Sequence, residues 1–278
     1  IGNPINHSLS PLMHESIFKQ IGLKASYDKI QIEPFELEKF VRSNKLDGYN
    51  VTIPYKNIIL KHLGNIGHSA QNITAVNCVS INKGYNTDWI GFTKTLDQNK
   101  IDLKNKSCLI IGSGGAAYAI AYALIKSKVS SIQIENRSIE NKIKLEKWIS
   151  QRMNKKSDSM PEVFINCTPL GMSPFIDEIP SNVNIKNGNI VIDTIYNPIK
   201  TKWLKQCEKK GAKIISGLDM LIAQGIASLN IWLKDDLFEK INLKYYPNKV
   251  ILLKDISKPA ELEKIAPWVK DYKMMNNK

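Results

Sequence analysis

Two ionisable residues in the first third of the chain each stand at the end of a short polar segment. Lys56 closes the segment 50–56 (Asn-Val-Thr-Ile-Pro-Tyr-Lys), and Asp88 closes 86–88 (Asn-Thr-Asp). A glycine-rich turn begins soon afterwards at Gly112. A lysine ammonium can protonate, or hold by its charge, an oxygen that becomes an alkoxide when hydride reaches its carbon. This order predicts a substrate pocket followed by a hydride-carrier domain, as in a dehydrogenase.

The glycine-rich turn has the pattern of a dinucleotide-binding loop. Its sequence, 112–117, is Gly-Ser-Gly-Gly-Ala-Ala; it follows an apolar run and opens an alanine-rich segment. Gly112 allows a tight turn, Gly114 lets backbone amides approach a pyrophosphate, and Ala117 permits close packing of helix on strand. The alternative is a turn that packs the helix against the sheet and binds no ligand.

The end of the next predicted strand bears on the choice of cofactor. NAD enzymes usually present a carboxylate there, whereas this chain has Asn136, Arg137 and Ser138. Arg137 can bind a 2′-phosphate with two parallel hydrogen bonds, and Ser138 can donate another. These residues favour NADP, although Glu135, directly before them, could instead bind the ribose hydroxyls of NAD. Arg137 as an ordinary solvated loop residue is the other alternative.

Lys56 and Asp88 also have ordinary structural explanations. Surface lysines are common, and Asp88 stands where it can cap the helix that follows. The place of Lys56 after a strand broken by Pro54, with Asn50 and Thr52 nearby, favours a site that faces a polyol. Capping leaves acceptor capacity on a carboxylate, so Asp88 can serve both purposes.

Two serines lie at the predicted start of the first helix. Ser10 is followed by a proline and is expected to cap that helix, and Ser8 lies just before it. Two hydroxyls at a positive helix terminus can also hold a carboxylate. His7 and His14 flank the segment, but two histidines without a third ligand do not indicate a metal site, and no metal is expected.

Composition sets the broad class. The 278 residues, 43% of them hydrophobic, suffice for two modest cores that share a cleft. No apolar run approaches the roughly 20 residues of a membrane span, and the first residues lack the features of a secretory signal. Four scattered cysteines without CxxC spacing indicate neither zinc nor a disulfide framework, so a reducing cytoplasm is the expected location.

The formal charge of +13 allows a second class of function. A non-catalytic nucleotide-binding or nucleic-acid-binding protein is the alternative that this charge raises. The lysines are dispersed rather than striped with aromatics, however, so we expect a small-molecule substrate, no nucleic acid and no membrane as partners. The oligomeric state stays open between monomer and homodimer.

Hydrophobic spacing predicts an α/β chain. Helices are predicted at 11–21, 34–44, after Pro54, from Trp89, at 115–127 and at 217–236. Strands are predicted at 27–32, 48–53, 76–81, 107–111, 131–136, 163–166, 190–193 and 213–215. The strands from 107 onward indicate a doubly wound, Rossmann-type sheet. The helix 217–236 has no strand of its own to cover, so it is expected to return to the first domain.

These elements predict three segments of the chain. A substrate-binding catalytic domain spans 1–88 and is completed by 216–243, and an NADP-binding domain spans 89–215. A tail at 244–278 holds a possible strand at 250–253 and a helix at 259–269, and its role is unknown.

The motifs, taken in order, resemble the shikimate dehydrogenase family. They lie at 2–5, 7–11, 50–56, 75–77, 86–88, 112–117, 166–172, 193–198 and 217–224. Their number and order make chance similarity a poor explanation. The resemblance implies reversible NADPH-dependent reduction of 3-dehydroshikimate to shikimate, in the pathway to chorismate and the aromatic amino acids.

The resemblance also implies a role for each matching position. Lys56 would be the acid/base, paired with Asp88, while Ser8 and Ser10 would hold the substrate carboxylate. The remaining substrate-binding residues would be Asn50, Thr52, Asn77, Tyr196 and Gln224. The cofactor-binding residues would be Gly112, Ser113, Gly114, Gly115, Ala116, Asn136, Arg137, Ser138, Thr168, Gly217 and Met220.

Three positions depart from the family pattern. Asn141 stands where many members have a second basic residue, which weakens the expected preference for NADP. Ser216 replaces a common Asp, and Thr74 replaces a common Gly. An NAD-using quinate/shikimate dehydrogenase is therefore the nearest alternative, and Glu135 and Asn141 are the residues that support it.

Overall fold

The computed structural model describes residues 1–5, 8–154 and 159–237, and its strands form two separate sheets. The strands are β1 (Gly48–Asn50), β2 (Asn65–Ile66), β3 (Cys78–Ser80), β4 (Lys83–Tyr85), β5 (Ser107–Ile111), β6 (Ser131–Glu135), β7 (Val163–Asn166), β8 (Ile190–Asp193) and β9 (Lys213–Ile215). The first sheet has the order β1-β3-β4-β2 and the second the order β6-β5-β7-β8-β9.

Helices cover both sheets. The α-helices are α1 (Ser10–Gln20), α2 (Leu37–Ser43), α3 (Tyr55–Ile58), α4 (His68–Ile73), α5 (Asp88–Gln98), α6 (Gly115–Lys126), α7 (Ile139–Ser150), α8 (Lys202–Lys209) and α9 (Leu218–Leu233), with 3₁₀ turns at Pro34–Glu36 and Ile59–His62. The α/β class predicted from the sequence is confirmed.

The second sheet is parallel throughout, and its centre explains the apolar run before the glycine turn. Every residue of β5 is buried, because β6 and β7 pair with its two edges and helices cover its faces. The direction of winding reverses between β5 and β7. In open parallel sheets the crevice at such a switch point, beyond the carboxyl ends of the strands, is the usual ligand site.

The first sheet is mixed. β3 pairs antiparallel with β1 and β4, while β2 and β4 pair in parallel. The strand predicted at 27–32 is wrong, since this segment makes a single bridge, between Gln31 and Gly2. Its alternation reflects burial without a ladder: Tyr27 stacks on His14, and Ile32 is buried in the core of this sheet.

The helix α9 returns from the second sheet to the first, as expected from its apolar sequence. It packs along α5, where Gly91 permits the approach, because a Cβ there would lie 2.7 Å from the Met220 carbonyl oxygen. Near its end, Trp232 donates from Nε1 to the Val79 carbonyl oxygen of β3, at 2.9 Å. One helix thus packs along α5 and reaches the first sheet.

Within the described ranges, no helix is long and apolar enough to cross a membrane. His7, residues 238–243 of the predicted first domain, and the predicted tail at 244–278 with its strand and helix lie outside those ranges.

Candidate active site

A cavity of about 1120 Å³ opens between the two sheets. Its lining includes every substrate-site, catalytic and cofactor-site residue that the sequence predicted: Ser8, Ser10, Asn50, Thr52, Lys56, Asn77, Asp88, Gly112, Ser113, Gly114, Gly115, Ala116, Asn136, Arg137, Ser138, Thr168, Tyr196, Gly217, Met220 and Gln224. Residues separated by more than 200 positions in sequence therefore share one space. The geometry brings the set together, while the individual roles remain predictions.

Lys56 and Asp88 form an ion pair in this cavity. Lys56 Nζ lies 2.7 Å from Asp88 Oδ2, and the side chains are 19% and 7% exposed. Lys56 stands in α3, directly after a turn at Pro54, and Asp88 is the first residue of α5. A partly buried ammonium with a fixed counter-ion can donate a proton to an oxygen placed beside it.

The capping role predicted for Asp88 is wrong. The helix starts at Asp88 itself, with Thr87 at the capping position and no side-chain cap. The free carboxylate oxygen, Oδ1, instead accepts from Asn77 Nδ2 at 2.8 Å. Asn77 is held in turn, because its Oδ1 accepts from the Thr87 amide. The Asp88 carboxylate is therefore oriented by a side-chain amide on one oxygen and by Lys56 on the other.

The glycine turn has the geometry of an anion-binding loop. Gly112 has φ of +107°, and a Cβ there would lie 3.1 Å from the Cys167 carbonyl carbon, so only glycine fits without strain. Gly114 precedes α6, which has no side-chain cap, and a Cβ at Gly114 would meet nothing within 4 Å. Free amides at a helix start beside open space suit a pyrophosphate.

The same turn lies beside the catalytic candidate. A Cβ built on Gly115 would lie 3.8 Å from Lys56 Cβ. The start of α6 and the side chain of Lys56 in α3 are therefore neighbours in space, and both line the same cavity.

The residues after β6 line the other end of the cavity. Asn136 Nδ2 donates to the Ser138 carbonyl oxygen at 2.8 Å, and Ser138 Oγ caps α7 by accepting from Asn141 N at 3.3 Å. Glu135 Oε2 accepts from Ser181 Oγ at 2.9 Å. Arg137 borders the cavity between these groups, where a guanidinium can receive a phosphate.

The two serines at the start of α1 differ in their hydrogen bonds from the prediction. Ser10 is the first residue of the helix and makes no side-chain cap, so the capping prediction for Ser10 is wrong. Ser8 Oγ accepts from the Ser10 amide at 3.3 Å. Lys29 Nζ, which also lines the cavity, lies 3.4 Å from the Ser8 carbonyl oxygen. This corner combines hydroxyls with a cation and suits a carboxylate.

Sequence reasoning missed two members of the polar network around the cavity: Tyr27, which lines it, and Ser228, which lies behind it. Tyr27 donates from its hydroxyl to Asn50 Oδ1 at 2.7 Å, and burial raises the pKa of Tyr27, which keeps it a donor. Asn50 Nδ2 donates to the Asn77 carbonyl oxygen at 3.0 Å and to Ser228 Oγ at 2.9 Å. Both amide protons of Asn50 are therefore used inside the protein. Ser228 was identifiable by its spacing of four from Gln224 on the predicted helix.

The loop after β7 is organised by a buried carboxylate. Asp193 Oδ1 accepts from Asn166 Nδ2 at 2.9 Å, and Asp193 Oδ2 accepts from Thr201 Oγ1 at 2.8 Å. Burial raises the pKa of Asp193 to about 6, against the lowering effect of these donors. Asn166 Oδ1 accepts from both the amide and the hydroxyl of Thr168. The arrangement fixes Thr168 at the edge of the cavity.

No group of three or more His, Cys, Asp or Glu side chains in the described part of the chain is arranged to hold a metal ion. All four cysteines are described, and none is paired with another there.

A doubly wound fold whose glycine-rich helix start lines the same cavity as a lysine–aspartate ion pair is typical of the class of nicotinamide-dependent oxidoreductases. The comparisons with known proteins then narrow the class. A family model described as the shikimate dehydrogenase substrate binding domain matches residues 1–79. The shikimate dehydrogenase (NADP(+)) of Methanococcus maripaludis is 39% identical over 260 residues, which cover 86% of this chain and 92% of the relative. The chain belongs to the shikimate dehydrogenase family.

Solved structures agree with this assignment. A crystal structure of a shikimate dehydrogenase in complex with NADP⁺ has a TM-score of 0.83 and 36% identity, and the match covers 92% of this chain and 94% of the other. Shikimate 5-dehydrogenase from Listeria monocytogenes, solved with shikimate and NAD, has a TM-score of 0.77 and 30% identity, with coverage of 88% and 92%. The fold and the two-sheet arrangement are thus those of the family.

Proposed function

We propose that this protein catalyses the reversible, NADPH-dependent reduction of 3-dehydroshikimate to shikimate, a step toward chorismate and the aromatic amino acids. The observation that carries the proposal is the Lys56–Asp88 ion pair, held at 2.7 Å in the cavity that the dinucleotide loop also lines. Family membership, with relatives named shikimate dehydrogenase (NADP(+)), supports the substrate and the cofactor.

The substrate would lie against the first sheet. Ser8 and Ser10 would hold its carboxylate at the mouth of α1, and Thr52, Asn77 and Gln224 would hold its ring hydroxyls, with Asn50 and Tyr196 beside it. Lys56 would donate a proton to the carbonyl oxygen during reduction and take it back in the reverse direction. Asp88 would orient the Lys56 ammonium and balance its charge, since Asn77 and Lys56 already fix both carboxylate oxygens.

The cofactor would lie against the second sheet, whose residues fit it. The open space at Gly114 and the uncapped start of α6 suit the pyrophosphate, with Gly112, Ser113, Gly115 and Ala116 completing the loop. Asn136, Arg137 and Ser138 would hold the 2′-phosphate. Thr168, Gly217 and Met220 would border the nicotinamide side of the cavity. NADPH, when bound, supplies the hydride.

A kinetic assay tests the proposal directly. The purified protein is mixed with NADPH and 3-dehydroshikimate, and the loss of the reduced-nicotinamide absorbance is followed, with shikimate identified as the product. Saturable turnover is expected. Absence of turnover in both directions, by a protein that is folded by circular dichroism, would overturn the proposal.

An NAD-using quinate/shikimate dehydrogenase is the second candidate. Glu135 lines the cavity at the end of β6, and Asn141 supplies no charge where a second cation would favour a phosphate. The Ser181 hydroxyl already occupies one Glu135 oxygen, which leaves that carboxylate less free for a ribose. Comparing NADPH with NADH, and dehydroshikimate with dehydroquinate, at matched concentrations separates the two candidates.

We also infer that the described residues within 1–88 and 216–243 form the substrate-binding unit, and those within 89–215 the NADP-binding unit. The returning helix α9 supports this division, since it carries Gln224 to the first sheet. A cytoplasmic location is proposed from the four unpaired cysteines, which suit a reducing compartment.

A further inference from the structure

The helix α9 carries a stripe of four residues at spacing four: Met220, Gln224, Ser228 and Trp232. The first two line the cavity, and the last is anchored to the Val79 carbonyl oxygen of β3. Ser228 lies between them with no exposed surface. A fully buried hydroxyl must be hydrogen-bonded, and its partners show what it does.

The partners of Ser228 allow its proton to be assigned. Ser228 Oγ donates to the Gln224 carbonyl oxygen at 3.0 Å, which can only accept. Ser228 Oγ therefore accepts from Asn50 Nδ2 at 2.9 Å and from Thr87 Oγ1 at 3.2 Å, and the buried thiol of Cys78 in β3 is a further neighbour. One hydroxyl thus ties together the strand β1, the start of α5 and the helix α9.

The Thr87 hydroxyl has one proton and three acceptors in range. Ser228 Oγ lies at 3.2 Å, Asn77 Oδ1 at 3.3 Å and Gln224 Oε1 at 3.5 Å. While Ser228 takes this proton, Asn77 Nδ2 can donate its two protons to its nearest acceptors, Thr87 Oγ1 at 2.9 Å and Asp88 Oδ1 at 2.8 Å. Gln224 Oε1, which lies farther from Asn77 Nδ2 at 3.2 Å, then keeps acceptor capacity toward the cavity. Ser228 therefore influences the two amides that face the substrate without lining the cavity itself.

We propose that Ser228 is a positioning residue that orients the Asn77 and Gln224 amides, through Thr87 and Asn50, for the substrate hydroxyls. This inference rests on the proposed function and deepens it. Loss of the hydroxyl leaves one partly buried N–H of Asn50 without that partner and turns the Thr87 proton toward Gln224 or Asn77. The Thr87 proton then partly occupies Gln224 Oε1 or Asn77 Oδ1, which the substrate hydroxyls would otherwise use. Substrate binding weakens as a result, while the cofactor end of the cavity is unchanged.

The test is Ser228→Ala with shikimate and NADP as substrates. The KM for shikimate is expected to rise about fivefold, which corresponds to about 1 kcal/mol, the usual net worth of one hydrogen bond. The KM for NADP should stay within about twofold. If the wild-type protein itself does not turn over shikimate, the proposed function fails; if it does and the variant keeps the wild-type shikimate KM, the inference about Ser228 fails.

A matched control separates positioning from stability. Ser131 at the start of β6 is equally buried, and its hydroxyl pairs with Ser107 Oγ at 2.7 Å, outside the cavity lining. Ser131→Ala is expected to lower the melting temperature by an amount similar to Ser228→Ala and to leave both KM values unchanged. An equal rise of the shikimate KM in both variants would show a general stability effect and overturn the proposal.

A double-mutant cycle with Gln224→Ala gives a second readout. Because Ser228 is proposed to act in large part through the Gln224 amide, Ser228→Ala should raise the shikimate KM by less in the Gln224→Ala background than in the wild type. Full additivity of the two changes, together with an unchanged Asn77 environment in the NMR spectrum, would contradict the positioning role.

Discussion

Lys56 Nζ and Asp88 Oδ2 lie 2.7 Å apart, although the two residues come from different helices and are 32 positions apart in the sequence. Their side chains are 19% and 7% exposed, compared with 34% and 51% for the ion pair between Lys106 and Glu162. The first pair lines the cavity and is partly shielded from water, so it is the pair suited to proton transfer. Exposed ion pairs such as the one between Lys106 and Glu162 contribute little to the stability of a protein.

Replacing Lys56 tests the proton donor. Lys56→Met is expected to lower kcat by about 10²- to 10⁴-fold, the usual range for general acid catalysis, with little change in NADPH binding. Lys56→Arg keeps a positive charge beside Asp88 and so protects the fold, but a guanidinium does not release its proton, and turnover should still fall. Steady-state kinetics and NADPH fluorescence titration measure the two effects.

Lys106→Met is the matched control for that experiment, because it removes a lysine from an exposed ion pair outside the cavity. It should keep wild-type kcat. Wild-type kcat in a folded Lys56→Met protein would rule out the proposed acid.

Replacing Arg137 tests the choice of cofactor. Arg137→Met should raise the KM for NADPH by about tenfold or more, since a charge-assisted hydrogen bond contributes about 1.5–3 kcal/mol. The KM for NADH should change little. Arg152→Met, which removes an arginine stacked on Trp148, serves as the control. Equal effects of Arg137→Met on both cofactors would argue against contact with a 2′-phosphate.

The left-handed backbone at Thr74 predicts a stabilising substitution. Thr74 has φ of +58°, a conformation that costs a branched L-residue about 1–2 kcal/mol. Thr74→Gly removes this strain at some cost in chain entropy, so the free energy of unfolding should rise by about 0.5–1 kcal/mol. Thr93→Gly, inside α5, should lower it instead. Urea unfolding measures both, and a loss at position 74 would contradict the strain argument.

Two buried groups predict opposite dependences of stability on pH. Burial lowers the pKa of His14 from 6.5 to about 3, so its contribution to stability is complete above pH 6.5 and is lost as pH falls toward 3. Burial raises the pKa of Asp193 from 3.8 to about 6, so its contribution is complete below pH 3.8 and is lost as pH rises through 6. Between about pH 4 and 6 the two slopes oppose each other.

Substituting His14 separates its contribution to the pH dependence of stability from that of Asp193, because the variant keeps Asp193 and loses the imidazole. The difference in unfolding free energy between His14→Phe and the wild type should shift in favour of the variant by up to about 1.4 kcal/mol per pH unit below 6.5. The constant packing cost of the new ring cancels in this comparison. Urea unfolding at pH 7, 5.5 and 4.5 measures the shift, and a difference independent of pH would show that His14 does not titrate as described.

Much of the fold follows from local sequence. The buried run of β5 and the helix after Gly112 were predictable because a parallel central strand and a glycine turn have strong local signatures. The segment 27–32 was not, because its alternation of apolar and polar residues reflects contacts of Tyr27 with His14 and Asn50 rather than pairing in a ladder. Alternating apolar and polar residues indicate which side chains are buried. A strand also needs a neighbouring strand to pair with, and the local sequence does not identify that neighbour.

The residue types of the site, their order and with them the family could be read from the sequence, because motifs are recognised by which residues follow one another. Which of these groups act together depends on the packed fold. Asp88 is the first residue of its helix and not its cap, and its two oxygens bind Lys56 and Asn77. Ser228 joins the site because α9 crosses back to the first sheet. Hydrogen bonds depend on separations of about 3 Å between atoms far apart in the chain, and only the packed fold sets those separations.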